Sequence, residues 1–326
     1  MYNDRSISDV HGNSVLKQHV KVPIPEPKQD ELLVRVEAVS LNPFDWKIQK
    51  GMLRPIMPSK FPHIPCTDVA GEVVKVGSAT KGFKPGDKVV AMLSPLNGGG
   101  LAEYAAVKAN TTVHRPDEVP AAEASVLATT GMTAYQALRR VGGLTSRPIR
   151  NILITAASGG VGIMAVQLAK LLAPNSHLTV TCGARNFEFM RSLGADELLD
   201  YRTPEGASLK SPSGKKYDLI IDAASGIPWS TFAPNMSEDS KVVYLTPNLN
   251  SLLSVIIRKL TFSKKKAALL FTSQNKEDLD FLVHLVKEGK LKVKIDSKYP
   301  LTKADDAWAK CIDGHATGKI IVEPWN

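Results

Sequence analysis

The order of apolar and polar positions divides the chain into three regions. From about Leu32 to Val113, short β-rich runs are separated by Pro and Gly turns such as KPGDK, which predicts a compact antiparallel β-unit. From Ala121 the apolar spacing becomes helical, and six apolar runs then alternate with helical segments. These runs lie at about 151–155, 178–182, 197–200, 217–223, 241–246 and 267–272. Such alternation predicts a parallel, doubly wound sheet with right-handed crossovers.

The last fifty or so residues resemble a return to the first region. They read as a helix (KEDLDFLVHLVKEGK), a β-like run (KVKIDSKYPL), a second helix (KADDAWAKCIDG) and a final strand (KIIVEP). The predicted domains are therefore 1–122, completed by 274–326, and 123–273. The first fourteen residues are polar and predict irregular structure.

The clearest local pattern is NILITAASGGVG at 151–162, an apolar run that turns into glycines and then continues as the helical IMAVQLAKLL. Glycines let the backbone approach a pyrophosphate, and the free N–H groups of a first helical turn face the anion. The G-x-G-x-x-G spacing falls on Ala157, Gly159 and Gly162, with alanine in the first place. The strand before and the helix after predict a dinucleotide site.

The residues after the second strand of this region indicate which dinucleotide. LTVTC ends in Gly183, Ala184, Arg185 and Asn186, and no carboxylate follows until Glu188. A carboxylate there would bind the ribose diol of NAD, whereas an arginine pairs with a 2′-phosphate. NADPH is therefore favoured over NADH. The alternative is that Arg185 only opens the next helix on a solvated face.

Composition fits a two-domain soluble enzyme, since 326 residues with 43% hydrophobic content can bury substantial cores. The three cysteines are far apart, which excludes a four-cysteine zinc lobe and a disulfide framework and fits a reducing compartment. The longest uncharged stretch contains the glycine turn, so no membrane span is predicted. The N-terminal segment shows neither a signal peptide nor a clear transit peptide.

The net charge of +9 is partly local. Basic residues bracket a short apolar stretch and surround a Pro/Ser/Gly loop; they are Arg258, Lys259, Lys264, Lys265 and Lys266, and Lys210, Lys215 and Lys216. Such runs are usually solvated faces. An anionic membrane surface or a nucleic acid is the alternative partner, because basic segments gain from either field.

Several motifs occur together in one order: GEVVKVG, FKPGDKV, GGGLAEYA, TGMTAYQAL, AASGGVG and HATGKIIVEP. Together they resemble the zinc-free quinone oxidoreductase branch of the medium-chain dehydrogenase/reductase superfamily over essentially the whole chain. SLNPFDWKIQKGM, SLGADELLDY, SPSGKKYD and DAWAKCIDGHATGKI are especially similar to plant members from the chloroplast envelope. The resemblance implies an α/β fold with a GroES-like antiparallel β catalytic domain and a doubly wound, parallel-sheet Rossmann domain that binds NADPH.

The resemblance also implies a reaction without a metal. Zinc-dependent relatives carry a G-H-E motif, which is replaced here by the stretch around Pro65, Cys66, Thr67 and Asp68. Cys66 and His63 lack a third ligand and a suitably spaced carboxylate, so no metal site is predicted. Alcohol oxidation needs a Lewis acid to polarise the alcohol, whereas reduction of an electron-poor alkene or quinone does not. The second reaction is therefore favoured. Hydride from NADPH would reach the β-carbon while hydrogen-bond donors stabilise the growing oxyanion.

By resemblance, the catalytic candidates lie in SLNPFDWK. Asn42 and Asp45 are expected near the nicotinamide, and Lys47 is expected to reach the nicotinamide ribose, through which a proton can be relayed. Each has a structural alternative: Asn42 followed by Pro43 suits a turn, and Asp45 suits a helix N-cap. The cofactor-binding candidates are Lys47, Thr130, Ser158, Gly159, Gly160, Val161, Cys182, Gly183, Arg185, Tyr201, Thr246 and Lys319.

Two hypotheses follow. The first is an NADPH-dependent reductase of α,β-unsaturated ketones or aldehydes, including lipid-derived ones, with quinones as the nearby alternative substrates. The second is a non-catalytic cofactor-binding protein attached to an anionic membrane surface or RNA. The expected partner is a small electrophilic alkene or quinone, with no nucleic acid as the main partner and peripheral membrane contact left open. A monomer or homodimer is expected, in the chloroplast and peripheral to its envelope by resemblance, or in the cytoplasm.

Overall fold

A computed structural model describes residues 2–8, 16–52, 63–144, 146 and 148–325. The chain forms two compact units, Met1–Thr130 with Gln274–Asn326, and Gly131–Ser273. These units divide at Thr130 and Ser273, whereas the predicted boundaries lie at 122 and 273, and the domain limits stay a prediction.

Fifteen strands occur in the described part of the chain. They are β1 (Tyr2–Ser8), β2 (Leu16–Pro23), β3 (Glu31–Ser40), β4 (Asp68–Val76), β5 (Lys88–Met92), β6 (Tyr104–Lys108), β7 (Thr112–His114), β8 (Asn151–Ile154), β9 (His177–Cys182), β10 (Glu197–Asp200), β11 (Tyr217–Asp222), β12 (Met236–Tyr244), β13 (Lys266–Leu269), β14 (Ile295–Pro300) and β15 (Lys319–Glu323).

The described part of the chain also contains ten α-helices, several of them short. They are α1 (Pro43–Gln49), α2 (Ala121–Val126), α3 (Met132–Gln136), α4 (Gly160–Leu172), α5 (Phe187–Ser192), α6 (Pro204–Ala207), α7 (Trp229–Phe232), α8 (Leu249–Leu260), α9 (Lys276–Lys287) and α10 (Ala304–Asp313).

The sheet of the first unit has the strand order β14-β15-β3-β4-β5-β7, with β6 also pairing with β3. All of its pairs are antiparallel except β14 with β15, so the predicted antiparallel unit is confirmed with one parallel addition. Its core joins the inward face of the sheet to α10 through residues such as Val34, Val73 and Trp308. The indole N–H of Trp308 donates to Gln49 Oε1 at 2.9 Å, which fixes α10 to the end of α1.

The prediction of irregular structure over the first fourteen residues is wrong for 2–8. This segment is β1, and it pairs antiparallel with β2 from Tyr2 opposite Pro23 to Ser8 opposite Leu16. The error arose because a strand without an apolar alternation leaves no period-two signal in the sequence.

The sheet of the second unit is fully parallel and has the order β10-β9-β8-β11-β12-β13. Numbered within the unit this is 3-2-1-4-5-6, the doubly wound order in which ligands bind outside the carboxyl ends of the strands, where the order reverses. The reversal lies between β8 and β11. The predicted six strands are confirmed, although β12 begins five residues earlier and β13 ends at Leu269 rather than at 272.

The helical segment predicted from Ala121 is continuous through Val141 but not uniformly α-helical. Two π-helical stretches interrupt it, at Leu127–Gly131 and Ala137–Val141. Such π turns are rare and cluster at functional sites. The first stretch contains Thr130, which is the last residue of the N-terminal part of the first unit.

Candidate active site

The turn after β8 forms the predicted phosphate site of the second unit. β8 ends at Ile154, and α4 begins at Gly160 with Gly159 as its N-cap. Ala156 has a left-handed φ of 48°, and its N–H donates to Thr181 Oγ1 at 3.1 Å, so the turn is fixed to β9. The first N–H groups of α4 have no acceptor within the helix and are available to an anion.

Two glycines of this turn have different surroundings. A Cβ on Gly162 would lie 2.5 Å from Ala157 Cα, so only glycine lets α4 pack this closely on the turn. A Cβ on Gly159 would approach only the carbonyl oxygen of Ala156, at 3.3 Å. The space over the Gly159 backbone is therefore otherwise open among the described residues, and Ser158 and Val161 flank it. This open backbone beside a helix N-terminus fits a pyrophosphate.

The carboxyl edge of β9 holds the residues expected at the adenosine ribose. Cys182 ends the strand, and burial raises the pKa of its thiol to about 11, so it stays protonated at neutral pH. Arg185 is exposed just beyond Gly183. Arg202, which the sequence analysis missed, follows β10, and its guanidinium occupies the place where a Cβ on Gly183 would lie. The same guanidinium lies 5.6 Å from the ring centroid of Tyr201.

One carboxylate also lies at this edge. Asp200 ends β10, and its carboxylate accepts the N–H groups of Ala184 at 3.3 Å and of Arg202 at 3.0 Å. The sequence prediction considered only the residues that directly follow β9, where no carboxylate occurs before Glu188. Asp200 lies at the same edge because it ends the neighbouring strand β10. Arg202 Nε also lies 4.0 Å from Asp200 Oδ1, so this carboxylate offsets one of the two guanidinium charges.

A hydrogen-bonded contact joins the carboxyl ends of β8 and β11, between which the strand order reverses. Thr155 Oγ1 donates to Asp222 Oδ1 at 2.7 Å and accepts the N–H of Ala224 at 3.1 Å. Burial raises the pKa of Asp222 to about 7. Thr246 lies two residues beyond β12, and its hydroxyl donates to the carbonyl of Ala224 at 2.7 Å. The carboxyl ends of β8, β11 and β12 are thus linked into one polar rim.

In the first unit, α1 carries the three catalytic candidates. Asn42, not Asp45, is the N-cap of α1. Asp45 stands at the third helical position, and its Oδ2 accepts the backbone N–H of Asn42 at 2.8 Å. The N-cap assignment of Asp45 is therefore wrong, because the helix begins one turn earlier, with Pro43 as its first residue. Asp45 is a capping-box residue that is itself buried.

A buried charge cluster surrounds the start of α1. The Nζ of Lys319 donates to the carbonyl of Leu41 and to Asn42 Oδ1, the latter at 2.7 Å. The amide of Asn42 in turn donates to Asp68 Oδ2 at 2.9 Å. Burial, with the neighbouring carboxyl of Asp68, raises the pKa of Asp45 to about 7, and burial also raises that of Asp68. Burial lowers the pKa of Lys319. We name Asn42, Asp45, Asp68 and Lys319 the charge cluster.

The first π-helical stretch supplies two further donors to this cluster. The hydroxyl of Thr129 donates to Asp68 Oδ1, and that of Thr130 donates to Asn42 Oδ1 at 3.3 Å. Successive residues of a regular α-helix diverge around its axis, so two neighbours that reach the same cluster indicate the widened turn. Thr129 and Asp68 had no signal in the sequence that pointed to this cluster.

Lys47 lies on α1, two residues beyond Asp45, and its Nζ is 5.6 Å from the ring centroid of Trp46. Its side chain is half-buried, and burial lowers its pKa. The ammonium therefore gives up a proton more readily than an exposed lysine does.

The stretch that replaces G-H-E joins the same cluster. Cys66 is buried and has a left-handed φ of 72°, and Thr67 Oγ1 donates to Asp68 Oδ1 at 3.1 Å. Within the ranges that the structure describes, no three His, Cys, Asp or Glu side chains form a group that could hold a metal ion.

The structure brings the predicted residues together as two sets, one in each unit. Asn42, Asp45 and Lys319 belong to the charge cluster, Thr130 donates a hydrogen bond to it, and Lys47 lies on α1. The second set lines the carboxyl edge of the parallel sheet and consists of Ser158, Gly159, Gly160, Val161, Cys182, Gly183, Arg185, Tyr201 and Thr246. Their contacts with a cofactor remain predictions.

Comparison with known proteins places both units in families. Residues 28–117 match the alcohol dehydrogenase GroES-like domain, and residues 193–322 match the zinc-binding dehydrogenase family. The chain is 60% identical over 316 residues to the chloroplast envelope quinone oxidoreductase homolog of Arabidopsis thaliana, covering 96% of this chain and 95% of that protein.

More distant relatives agree with this assignment. The chain is 33% identical over 325 residues to the NADPH-dependent alkenal/one oxidoreductase, chloroplastic, of Arabidopsis thaliana, covering 97% of this chain and 78% of that protein. Among solved structures, the quinone oxidoreductase from Coxiella burnetii superposes with a TM-score of 0.87 at 27% identity, over 98% of this chain and 99% of that one. The chain therefore belongs to the quinone oxidoreductase homologues of the medium-chain dehydrogenase/reductase superfamily, and it is an oxidoreductase that uses a nicotinamide cofactor.

Proposed function

We propose that this enzyme transfers hydride from NADPH to the β-carbon of α,β-unsaturated ketones and aldehydes without a metal. The observation that carries the proposal is the similarity, over 97% of this chain, to an NADPH-dependent alkenal/one oxidoreductase. Quinones are the alternative substrates, because the relatives with higher identity are named quinone oxidoreductase homologues. Both substrate classes are electron-poor conjugated carbonyl compounds.

The preference for NADPH is supported by the edge of β9. Arg185 and Arg202 both follow strands whose carboxyl ends are adjacent in the sheet. A guanidinium forms paired, charge-assisted hydrogen bonds with phosphate, and the carboxylate of Asp200 already accepts two backbone N–H groups.

The absence of a metal from the proposed mechanism is supported by what Asp68 already binds. Its two oxygens accept hydrogen bonds from Asn42, Thr67 and Thr129. An acid whose lone pairs are used in this way anchors the start of α1. It belongs to the stretch that stands in place of the G-H-E motif of zinc-dependent relatives.

Residues of α1 supply the remaining chemistry in this proposal. When bound, a reduced nicotinamide supplies the hydride. The half-buried ammonium of Lys47 stabilises the negative charge that develops on the carbonyl oxygen, and its lowered pKa lets Nζ release a proton toward the enolate. Asn42 and Asp45 hold the first turn of α1, and with it Lys47, in place.

The test is a substrate panel of enones, enals and quinones with NADPH absorbance as the readout. With deuterated NADPH, the label is expected on the β-carbon of the reduced alkene, and a chelator should leave the rate unchanged. Label on the carbonyl carbon would mean ketone reduction. Turnover of quinones alone would support the alternative, and loss of activity with chelator would contradict the metal-free mechanism.

The similarity to chloroplastic proteins supports a proposal about location. The Arabidopsis, Triphysaria versicolor and Spinacia oleracea relatives at 58–60% identity are all named as chloroplast proteins. We place this chain in the chloroplast on that basis, and a fluorescent fusion that remains in the cytoplasm would contradict it.

A further inference from the structure

Helix α8 has the opposite amphipathicity to an ordinary surface helix. Its inward face carries mainly polar residues: Ser251 and Ser254 are buried, and the Arg258 guanidinium lies 4.7 Å from the ring centroid of Trp229, while Val255 packs against the core of the second unit. Its outward face is an exposed stripe at the helical spacing i, i+3, i+4, i+7, i+8 and i+11. The stripe consists of Leu249, Leu252, Leu253, Ile256, Ile257 and Leu260. An apolar face of this kind normally turns toward a core.

The turn after α8 extends the apolar stripe. Phe262 is 93% exposed and takes a left-handed φ of 49°, a backbone conformation that is unfavourable for a bulky residue. The N–H of Ser263 donates to the carbonyl of Arg258 at 3.2 Å and helps to close the turn. The aromatic ring is thus presented to solvent at the end of the stripe. Isolated exposed apolar residues are common, but a contiguous set marks an interaction surface.

The surroundings of the stripe are basic. No Asp or Glu occurs between Asp239 and Glu277, a stretch that contains seven Lys and Arg residues. Lys259 borders the stripe on α8, Lys266 is exposed on the edge strand β13, and Lys264 lies 3.7 Å from Glu238. Apolar side chains bordered by lysines are the composition of helices that lie in a lipid interface.

We propose that α8 and the turn after it dock on an anionic phospholipid bilayer. The α8 surface, defined as the six Leu and Ile residues of the stripe with Phe262, Lys259, Lys264 and Lys266, inserts its apolar side chains at the headgroup boundary. Its lysines lie beside lipid phosphates. Among the described residues no helix is long and apolar enough to span a membrane, so this docking is peripheral. The inference stands independently of the proposed substrate.

Charge favours lipid over a second copy of the chain. In a two-fold symmetric dimer the same patch meets itself, so Lys259 and Lys266 would face their own counterparts across an apolar contact. Like charges brought together while water is excluded are destabilising. The aliphatic stripe also disfavours RNA, whose bases bind to aromatic platforms and polar groups. An anionic bilayer satisfies both the apolar stripe and the lysines.

The test is co-flotation of the full-length protein with vesicles. Vesicles of phosphatidylcholine mixed equally with phosphatidylglycerol should bind it at least tenfold more strongly than phosphatidylcholine alone, and high salt should weaken the binding. Leu253→Ser with Ile256→Ser, and Lys259→Glu with Lys266→Glu, should each reduce binding at least tenfold. The matched controls Leu171→Ser and Lys81→Glu change an exposed leucine and an exposed lysine elsewhere and should leave it unaltered.

Three results would overturn the proposal. Vesicle binding that both double variants retain would show that another surface is responsible. A concentration-dependent dimer that the serine variant dissociates, without vesicle binding, would identify the stripe as a contact between copies. Salt-sensitive capture of a single-stranded RNA oligomer, without vesicle binding, would identify a nucleic-acid surface. NADPH turnover, measured on the same samples, separates this outcome from failure of the proposed reaction.

Discussion

Lys319 is buried among groups that come from distant parts of the chain. Its Nζ donates hydrogen bonds to Leu41 and Asn42, and its ammonium interacts electrostatically with Asp45 and Asp68. A buried cation requires compensating partners, and removal of one partner leaves the other unpaired. At the scale of residues, the position of α1 thus depends on hydrogen bonds and charges that all meet at Asn42.

We propose that Arg185 and Arg202, which follow β9 and β10, set the choice of cofactor. We expect NADPH to bind at least tenfold more tightly than NADH, about 1.4 kcal/mol. Arg185→Ala and Arg202→Ala should each remove part of this difference and the double variant most of it, because the 2′-phosphate then lacks its charged partners. Fluorescence titration with both cofactors measures the difference, with Arg191→Ala on the following helix as the control. Equal affinities in the unmodified protein would contradict the assignment.

Lys47 is expected to act in the chemical step. Lys47→Ala should lower kcat by roughly ten- to a thousandfold, the range for loss of one electrostatic or proton-transfer group. The affinity for NADPH should fall less than kcat does if the lysine acts mainly on developing charge. Steady-state kinetics with a good enone substrate measure this effect, and Lys50→Ala, one turn from Lys47 and exposed, is the control. A variant with the normal rate would remove Lys47 from the mechanism while leaving the reaction class intact.

At the scale of elements, the turn between β8 and α4 separates packing from ligand contact. Gly162 lies where the helix touches the turn, whereas Gly159 lies under open space. We therefore expect the same glycine-rich sequence to contain one position that matters for stability and one that matters for cofactor binding.

A matched pair of substitutions tests this separation. Gly162→Ala should destabilise the protein by about 1–3 kcal/mol, because its Cβ would press on Ala157. Gly159→Val should leave the unfolding midpoint nearly unchanged and reduce NADPH affinity at least tenfold, since its side chain fills the open space. Thermal unfolding and cofactor titration measure both. If Gly159→Val bound NADPH normally, the phosphate site would lie elsewhere.

Elements that depend on local pattern were predictable from the sequence. The strand, turn and helix at 151–172 were identified because apolar periodicity and glycine are local signals. The charge cluster itself was not predicted. Asn42 and Asp45 were singled out by family resemblance as catalytic candidates and Lys319 as a cofactor-binding candidate, while Asp68 and Thr129 meet them through sheet pairing and a π turn. Arg202 was missed because its proximity to Gly183 depends on the alignment of two parallel strands. The stripe of α8 was noticed only as an apolar stretch between basic runs, since a sequence does not state which face is buried.

At the scale of the whole molecule, each unit buries one carboxyl group whose pKa is raised to about 7, Asp45 in the first and Asp222 in the second. In the unfolded chain both titrate near their ordinary pKa of about 4. Between about pH 4 and pH 7 the folded state therefore holds more protons than the unfolded state. The contribution of these two carboxyls to stability consequently falls as pH rises through this window.

This pH dependence is testable with isosteric amides. The free energy of unfolding should fall by up to about 1.4 kcal/mol per pH unit for each carboxyl that is protonated in the folded state and ionised in the unfolded chain. Asp45→Asn and Asp222→Asn should each reduce this dependence on pH. Thermal unfolding midpoints between pH 4 and pH 8 provide the measurement, with the exposed Asp306→Asn as the control. A midpoint that rises across the window in the unmodified protein and is unaffected by both amides would contradict the assigned direction.

The return of the chain to its first unit has a consequence for its synthesis. Gly131–Ser273 is continuous, so every strand of the parallel sheet has been synthesised before Gln274 is added. The first unit has to wait: β3 lacks its neighbour β15, Gln49 lacks Trp308, and Asn42 lacks Lys319 until the last residues are made. During translation, the half of the enzyme that binds the dinucleotide is complete while the helix that carries Lys47 is still unsupported.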